Sequence, residues 1–227
     1  MQPVYSVICA VLGYLAGSLS FAVIVSRLMG LKDPRTFGSK NPGATNVLRS
    51  GSKAAAAITL LLDGLKGLVP VLLVKLFGKP YGLEEGTMAL VGLGAFLGHL
   101  WPVYFHFKGG KGVATFIGVV FGFNWLLGLA TAATWLVIAG FFRYSSLASL
   151  VSAVFALAYY LLGDRVAWYV DATVAIVLFA MGALLFYRHR ENIVRLLKGQ
   201  ESRLGAKKAE PPAHPHPHPH SHHHRHH

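Results

Sequence analysis

The sequence predicts an all-α, polytopic integral membrane protein with seven transmembrane helices, the N-terminus outside and the C-terminus in the cytoplasm. Three observations carry that expectation. Of 227 residues, 54% are hydrophobic and only 13% charged, against roughly a quarter charged in an average soluble domain. The hydrophobic residues form runs near the length a helix needs to cross a ~30 Å hydrocarbon core. Lysine and arginine gather in short segments between those runs, which marks those segments as cytoplasmic.

The first run, 4–28, lacks the charged start and small-residue cleavage site of a removed signal peptide, so it is expected to span and stay. It contains Cys9, the single cysteine of the chain, which excludes an internal disulfide framework. The loop 27–53 carries Arg27, Lys32, Arg35, Lys40, Arg49 and Lys53 against Asp33 alone, so it faces the cytoplasm. Runs 54–77 and 86–105 follow, joined by a charge-balanced outer loop. The run 113–142 is too long for one crossing: at ~1.5 Å per residue it gives ~45 Å of helix. A break near "FGFNW", Phe121 to Trp125, makes two crossings of it. That leaves only Lys75, Lys79 and Arg165 outside and Lys66 within a span; one crossing would put the basic C-terminal tail outside. Runs 146–163 and 167–187 complete the seven.

The polar residues collect on the cytoplasmic side. "GSKNPGATNVLRSG", 38–51, is a long connection rich in Gly, Asn, Ser and Thr with cations at its flanks, a composition suited to an anion site built from backbone N–H groups. "GHLWPVYFHFKGGKGVAT", 98–115, sets Lys108 and Lys111 among glycines ahead of a helix. Glycines let a backbone approach an oxyanion closely, and a helix N-terminus favours negative charge. The spacing is not that of a Walker A loop. His99 is balanced between a structural and a functional role, and His106 reads as interfacial. "YRHRENIVRLLKGQESR", 187–203, continues the last span as a basic amphipathic helix. Ile193, Leu196 and Leu197 can face the membrane while Arg195 and Lys198 face head groups. An anchor of that kind does not require His189 and Asn192, three apart on one helix face. "RYSSLAS", 143–149, reads as a helix cap containing Ser146. Asp63 and Lys66, three apart within a span, are expected to face the bundle interior and neutralise one another.

Together "GSKNPGATNVLR", "GHLWPVYFHFKGGKGVAT" and "RHRENIVRL" closely resemble the motifs of the bacterial acyl-phosphate:glycerol-3-phosphate acyltransferases, the PlsY family, and "DGLKG" and "RYSSLAS" look like family segments too. The resemblance runs from residue 4 to about 203. It implies transfer of an acyl group from acyl phosphate to the 1-hydroxyl of sn-glycerol 3-phosphate, giving lysophosphatidic acid and phosphate in the first acylation of phospholipid synthesis. It implies an active site on the cytoplasmic face of a bacterial inner membrane, with no cofactor, metal or acyl-enzyme. The partners implied are glycerol 3-phosphate, acyl phosphate, membrane lipids and an upstream acyl-phosphate-forming enzyme. Carried over by motif, His189, Asn192, Ser39 and Arg49 take catalytic positions. Lys111, Gly109, Gly110, Gly112, Asn41, Asn46, Lys108 and Ser146 take substrate- or phosphate-binding positions. Asp63, Lys66 and Glu201 take structural ones. The resemblance leaves open which loop holds which phosphate; Arg49 and His189 are assigned to glycerol 3-phosphate and Lys111 to acyl phosphate. The base is either His189 or a phosphate oxygen of a substrate.

The net charge of +12 follows from short inter-helix segments and anionic ligands, not from nucleic acid. Residues 1–204 form the membrane domain, and the His/Pro-rich tail 205–227 is expected to be disordered and outside the chemistry. Two other classes are weighed. A transporter would place its polarity at mid-membrane with broken helices and repeats, whereas here it lies at one face. A metal-handling protein would need ligand spacing that His99, His106, His189 and one cysteine do not provide.

Overall fold

The computed structural model describes residues 2–205; the tail expectation for 206–227 lies outside the described residues. The described chain is all-helical: α1 Gln2–Gly17, α2 Phe21–Leu28, α3 Ala44–Leu48, α4 Lys53–Phe77, α5 Glu85–Leu100, α6 Val113–Phe123, α7 Trp125–Phe142, α8 Ser145–Leu162, α9 Ala172–Arg188 and α10 Arg190–Leu197. Among the described residues, five segments are long and apolar enough to cross a membrane: Pro3–Leu28, Lys53–Phe77, Glu85–Phe105, Trp125–Phe142 and Ser145–Leu162; α9 with α10 makes a sixth if that bent pair is one span.

The first run is not one straight helix. It breaks at 18–20 between α1 and α2. Lys66 Nζ donates to the Leu19 carbonyl (2.7 Å), so a polar side chain takes up a carbonyl that the break releases, while the Ser18 hydroxyl (2.8 Å) joins its own amide (2.9 Å) on the Tyr14 carbonyl. Hydrophobicity alone hid this, because 4–28 is apolar on both sides of the break. The break at Asn124 appears where the sequence placed it. Asn124 ends α6, and its carboxamide oxygen accepts from the Leu126 and Leu127 amides (2.9 and 3.2 Å), capping α7. The helix within the apolar run 167–187 starts at Ala172. Asp171 caps it by accepting from the Thr173 and Val174 amides, while Trp168 stacks on Tyr160 in the preceding loop. The expected amphipathic continuation of that helix is present as α10, turned from α9 by 61° at His189.

α4 and α6 run side by side in the same direction, with small residues letting the backbones touch. A Cβ on Gly118 would lie 2.0 Å from the Gly64 carbonyl oxygen, and one on Gly67 would lie 2.3 Å from that of Thr115. α6 therefore begins level with Asp63–Gly67, well inside α4, and ends where Lys75 Nζ donates to the Phe123 carbonyl (2.8 Å). α6 has 11 residues, shorter than the helices beside it. The Gly–Lys loop ahead of it packs on the end of α5, at His99 and Leu100.

Candidate active site

The segment 29–52 is organised by Asn46, which is 2% exposed. Its amide nitrogen donates to the carbonyls of Pro34 (2.6 Å) and Phe37 (3.1 Å), and its oxygen accepts from the Ser39 amide (3.0 Å). Every polar atom of Asn46 is thus spent on the loop itself. Ser39 and Arg49 are exposed and Asn41 half-buried. Arg49 donates to Asn46 Oδ1 (3.4 Å) and Ser202 Oγ (2.8 Å), joining the first loop to the C-terminal segment.

In the second loop, Lys108 is exposed and Lys111 half-buried. Gly109 and Gly110 are required by packing, whatever the loop binds. A Cβ on Gly109 would lie 2.1 Å from the His99 carbonyl oxygen, and one on Gly110 would lie 2.3 Å from His99 Nε2. The Gly110 amide donates to the His99 carbonyl (3.1 Å), so it is not directed at a ligand. Gly112 has φ +87, the left-handed region where glycine is unstrained. Among the described residues, the Lys111 and Gly112 amides donate to no backbone carbonyl. With the first-turn amides of α6 they form the N–H-rich end of a helix that suits an oxyanion.

From the other side, Arg188 donates from Nε to the Gly110 carbonyl (3.0 Å) and from Nη2 to the Gly109 carbonyl (2.8 Å). Sequence reasoning gave Arg188 only an anchoring role, because nothing in its local pattern separates it from the neighbouring cations. Arg195 is likewise not turned to head groups; it pairs with Glu201 at 2.8 Å.

α10 and the C-terminal segment close the site with a chain of hydrogen bonds. Lys111 Nζ donates to Asn192 Oδ1 (2.5 Å), and Asn192 Nδ2 donates to Glu201 Oε1 (2.6 Å). Ser146 Oγ donates to the same carboxylate oxygen (2.8 Å), and Arg195 Nε to the other (2.8 Å). Ser146 and Asn192 are buried. Ser146 thus holds Glu201 in this arrangement, and Glu201 in turn orients Asn192. Leu204 and Arg143 exchange hydrogen bonds that pin the segment to the α7–α8 turn.

The charges follow from this enclosure. Burial pushes the Lys111 ammonium down to about 8, against the opposing pull of Glu201. Burial opposes the Glu201 charge, but hydrogen bonds from Asn192, Arg195 and Ser146 outweigh it and hold the carboxyl below its ordinary range. His189, 2% exposed, lies just past the end of α9. Its Nδ1 is 2.8 Å from the Leu185 carbonyl. A carbonyl only accepts, so Nδ1 carries the hydrogen and Nε2 is left as the acceptor. Burial first, and then the Lys111 charge, pushes the imidazole down to about 4. Asp63 and Lys66 form the expected inward pair at 2.7 Å.

The arrangement is therefore a cationic, N–H-rich cradle at one end of the bundle, bounded by Arg49, Lys111, Asn192 and His189. It suits phosphate groups attached to an apolar chain, because lipid-facing helices surround it.

A family model described as glycerol-3-phosphate acyltransferase matches residues 7–199. The chain is 67% identical over 207 residues to a glycerol-3-phosphate acyltransferase of Albidiferax ferrireducens, covering 91% of this chain and 92% of that protein. It is 61% identical over 197 residues to one of Bordetella petrii, covering 87% and 92%. Among solved structures it resembles the glycerol 3-phosphate form of PlsY (YgiH), an integral membrane glycerol 3-phosphate acyltransferase. That match has a TM-score of 0.80 and 39% identity over 88% of this chain and 96% of that one. The lysophosphatidic acid form of PlsY matches with a TM-score of 0.79 and 38% identity, at the same coverage.

Proposed function

The chain belongs to the glycerol-3-phosphate acyltransferase family, and on that premise we propose that it acylates the 1-hydroxyl of sn-glycerol 3-phosphate from acyl phosphate, releasing lysophosphatidic acid and inorganic phosphate. The observation that carries the proposal is the convergence of Arg49 and Lys111, from two loops, with Asn192 and His189 from around the α9–α10 bend. Both substrates carry phosphate, and the cradle offers two kinds of cation, a planar guanidinium and a compact ammonium.

An acyl phosphate is a mixed anhydride with a good leaving group. The hydroxyl oxygen of glycerol 3-phosphate attacks the acyl carbon, the acyl carbon–oxygen bond to phosphate breaks, and the hydroxyl proton is given up. Positioning and stabilisation of developing charge can supply the acceleration. Lys111 and the α6 N-terminus hold the donor phosphate, while Arg49 and His189 orient glycerol 3-phosphate, His189 as an acceptor through Nε2. Ser39, Asn41 and Lys108 line the approach from the first and second loops. With His189 pushed down to about 4, the leaving phosphate is the stronger base near neutral pH, and we assign the proton to it. No metal or cofactor is assigned a role.

The site is assigned to the cytoplasmic face of a bacterial inner membrane, with seven spans, the N-terminus outside and the C-terminus inside. Substrates made in the cytoplasm would reach it there, including acyl phosphate from an upstream enzyme. The activity is assigned to residues 1–204, with the tail 205–227 outside it. The Asn124 break and the Lys/Arg distribution support the seven crossings. In a Cys9→Ser background, Trp125→Cys is expected to react with an impermeant maleimide from outside, and Phe142→Cys only from inside. Labelling of both from one side would remove the double crossing.

The central test is purified protein with acyl phosphate and glycerol 3-phosphate, read as phosphate release and lysophosphatidic acid formation, with and without chelator. An acyl thioester replaces the donor in a parallel arm. Turnover with the thioester and none with acyl phosphate would overturn the donor assignment.

The pH profile follows from Lys111. A lysine is charged below its pKa, so kcat/KM is expected to fall as pH rises through about 8, where the free enzyme loses the ammonium. A bound phosphate dianion favours the charged form, so kcat should persist to higher pH. Profiles of both constants from about pH 6 to 10 check this, and an alkaline limb unchanged in Lys111→Arg would assign the limb to another group.

A further inference from the structure

Beneath the phosphate loop lies a buried polar cluster to which the proposed reaction gives no part. It joins four elements: the α1–α2 break, α4, α5 and α6. Asp63, Lys66, His99 and Thr115 are 2%, 6%, 7% and 0% exposed. Lys66 Nζ is 2.7 Å from Asp63 Oδ1 and 2.7 Å from the Leu19 carbonyl. His99 Nδ1 is 3.2 Å from Thr115 Oγ and 3.7 Å from Asp63 Oδ1. Thr115 Oγ donates to the Asp63 main-chain carbonyl (2.9 Å).

These bonds settle the imidazole tautomer. A carbonyl accepts only, so the Thr115 hydroxyl hydrogen is committed to Asp63. The hydrogen between Thr115 and His99 must then come from the ring, and the Asp63 carboxylate on the same side favours that form. Nδ1 carries the hydrogen, and Nε2 is turned toward the loop, where a Cβ on Gly110 would fall 2.3 Å from it. The same residue's carbonyl receives the Gly110 amide at 3.1 Å. His99 thus meets Gly110 twice, by main chain and by ring, and Lys111 is the next residue along.

We propose that His99 is a positioning residue for the phosphate loop: Thr115 and the Asp63–Lys66 pair lock its ring against Gly110, and that contact sets where Lys111 and the α6 N-terminus present themselves to a phosphate. The energetics favour such a role over a plain brace. Apolar residues of similar volume hold helices together at least as well as a buried ion pair does, because desolvating two charges is costly. What apolar residues cannot do is fix the rotation of an imidazole. The cluster supplies that restraint directly under the loop. The inference rests on the loop being a phosphate site, as proposed above.

Thr115→Val tests it, because it removes the hydroxyl between His99 and Asp63 while keeping the volume and leaving the main-chain amides of the α6 first turn in place. The affinities for inorganic phosphate and for glycerol 3-phosphate are measured by calorimetry on detergent-purified protein, with melting temperature, kcat and both KM values alongside. The expected result is about a tenfold loss in phosphate affinity and a similar rise in the KM of the substrate held by Lys111. kcat should change less and the melting temperature little, and Thr115→Ser should restore the affinity. His99→Asn, which keeps a donor toward Thr115 but withdraws the ring from Gly110, should behave like Thr115→Val and not like Thr115→Ser. Unchanged phosphate affinity and KM values in both Thr115→Val and His99→Asn would overturn the role of His99, and so would a loss confined to melting temperature and active fraction. A wild type that binds phosphate but turns over no acyl phosphate would overturn the donor assignment alone.

Discussion

Replacing Lys111 with alanine is expected to lower kcat/KM for a phosphate substrate by roughly tenfold to more than a hundredfold, the loss of one charge-assisted hydrogen bond worth ~1.5–3 kcal/mol. The upper end is the better expectation. Lys111 is half-buried, and its ammonium has a partner in Asn192. Its removal therefore withdraws a cation from a partly water-excluded site and leaves the Asn192 oxygen without its donor. Lys111→Arg should recover only part of the loss, because a planar fork cannot take the position of a compact point charge between Asn192 and a phosphate. Steady-state kinetics with each substrate varied in turn would read the effect. Normal constants for both substrates in Lys111→Ala would reduce the loop to a connector and remove the phosphate cradle from the mechanism.

Asn192→Asp is expected to cost about a hundredfold in kcat/KM, or ~2.7 kcal/mol, although the two side chains have nearly the same shape. The reason is the direction of two hydrogen bonds. Asn192 accepts from Lys111 through Oδ1 and donates to Glu201 through Nδ2. Of the two side chains, only the amide can do both at neutral pH, because an ionised carboxylate has no hydrogen to donate. A carboxylate there would oppose Glu201 across a contact that is 2.6 Å in the wild type, and would also hold the Lys111 charge in competition with the substrate. The same logic supplies a control. Glu201→Gln in the Asn192→Asp background gives the new carboxylate a donor and removes the repulsion, so the double variant should regain activity over Asn192→Asp alone. A double-mutant cycle measures that coupling. Additive losses would show that Glu201 and Asn192 act independently, contrary to the hydrogen-bonded chain.

Much of the fold was legible because membrane spans announce themselves locally. A run of apolar residues has few alternatives in a bilayer, and the cost of moving charge across it orders the loops. The split of 113–142 followed from that, and Asn124 supplies the cap that makes it. Asp63 and Lys66 were legible as an inward pair for the same reason. The three polar segments also carried the family resemblance, since their residue order is itself the pattern.

What the order of residues could not supply was the partner of each polar atom across the bundle. Glycine at 109 and 110 suggested approach of an oxyanion, but the backbone of α5 and the His99 ring occupy the space where a Cβ would go. Arg188 and Arg195 looked like two more anchoring cations; one holds the carbonyls of the Gly109–Gly110 turn and the other holds Glu201. The break at 18–20 was invisible because its released carbonyl at Leu19 is met by Lys66, from a helix 47 residues away in sequence. Composition and spacing determined that the chain is a bundle of membrane helices with its polar segments at one end, because burial in lipid acts on each segment separately. Only the tertiary structure decided which donor meets which acceptor, because a hydrogen bond depends on distance and direction between segments that the sequence leaves far apart.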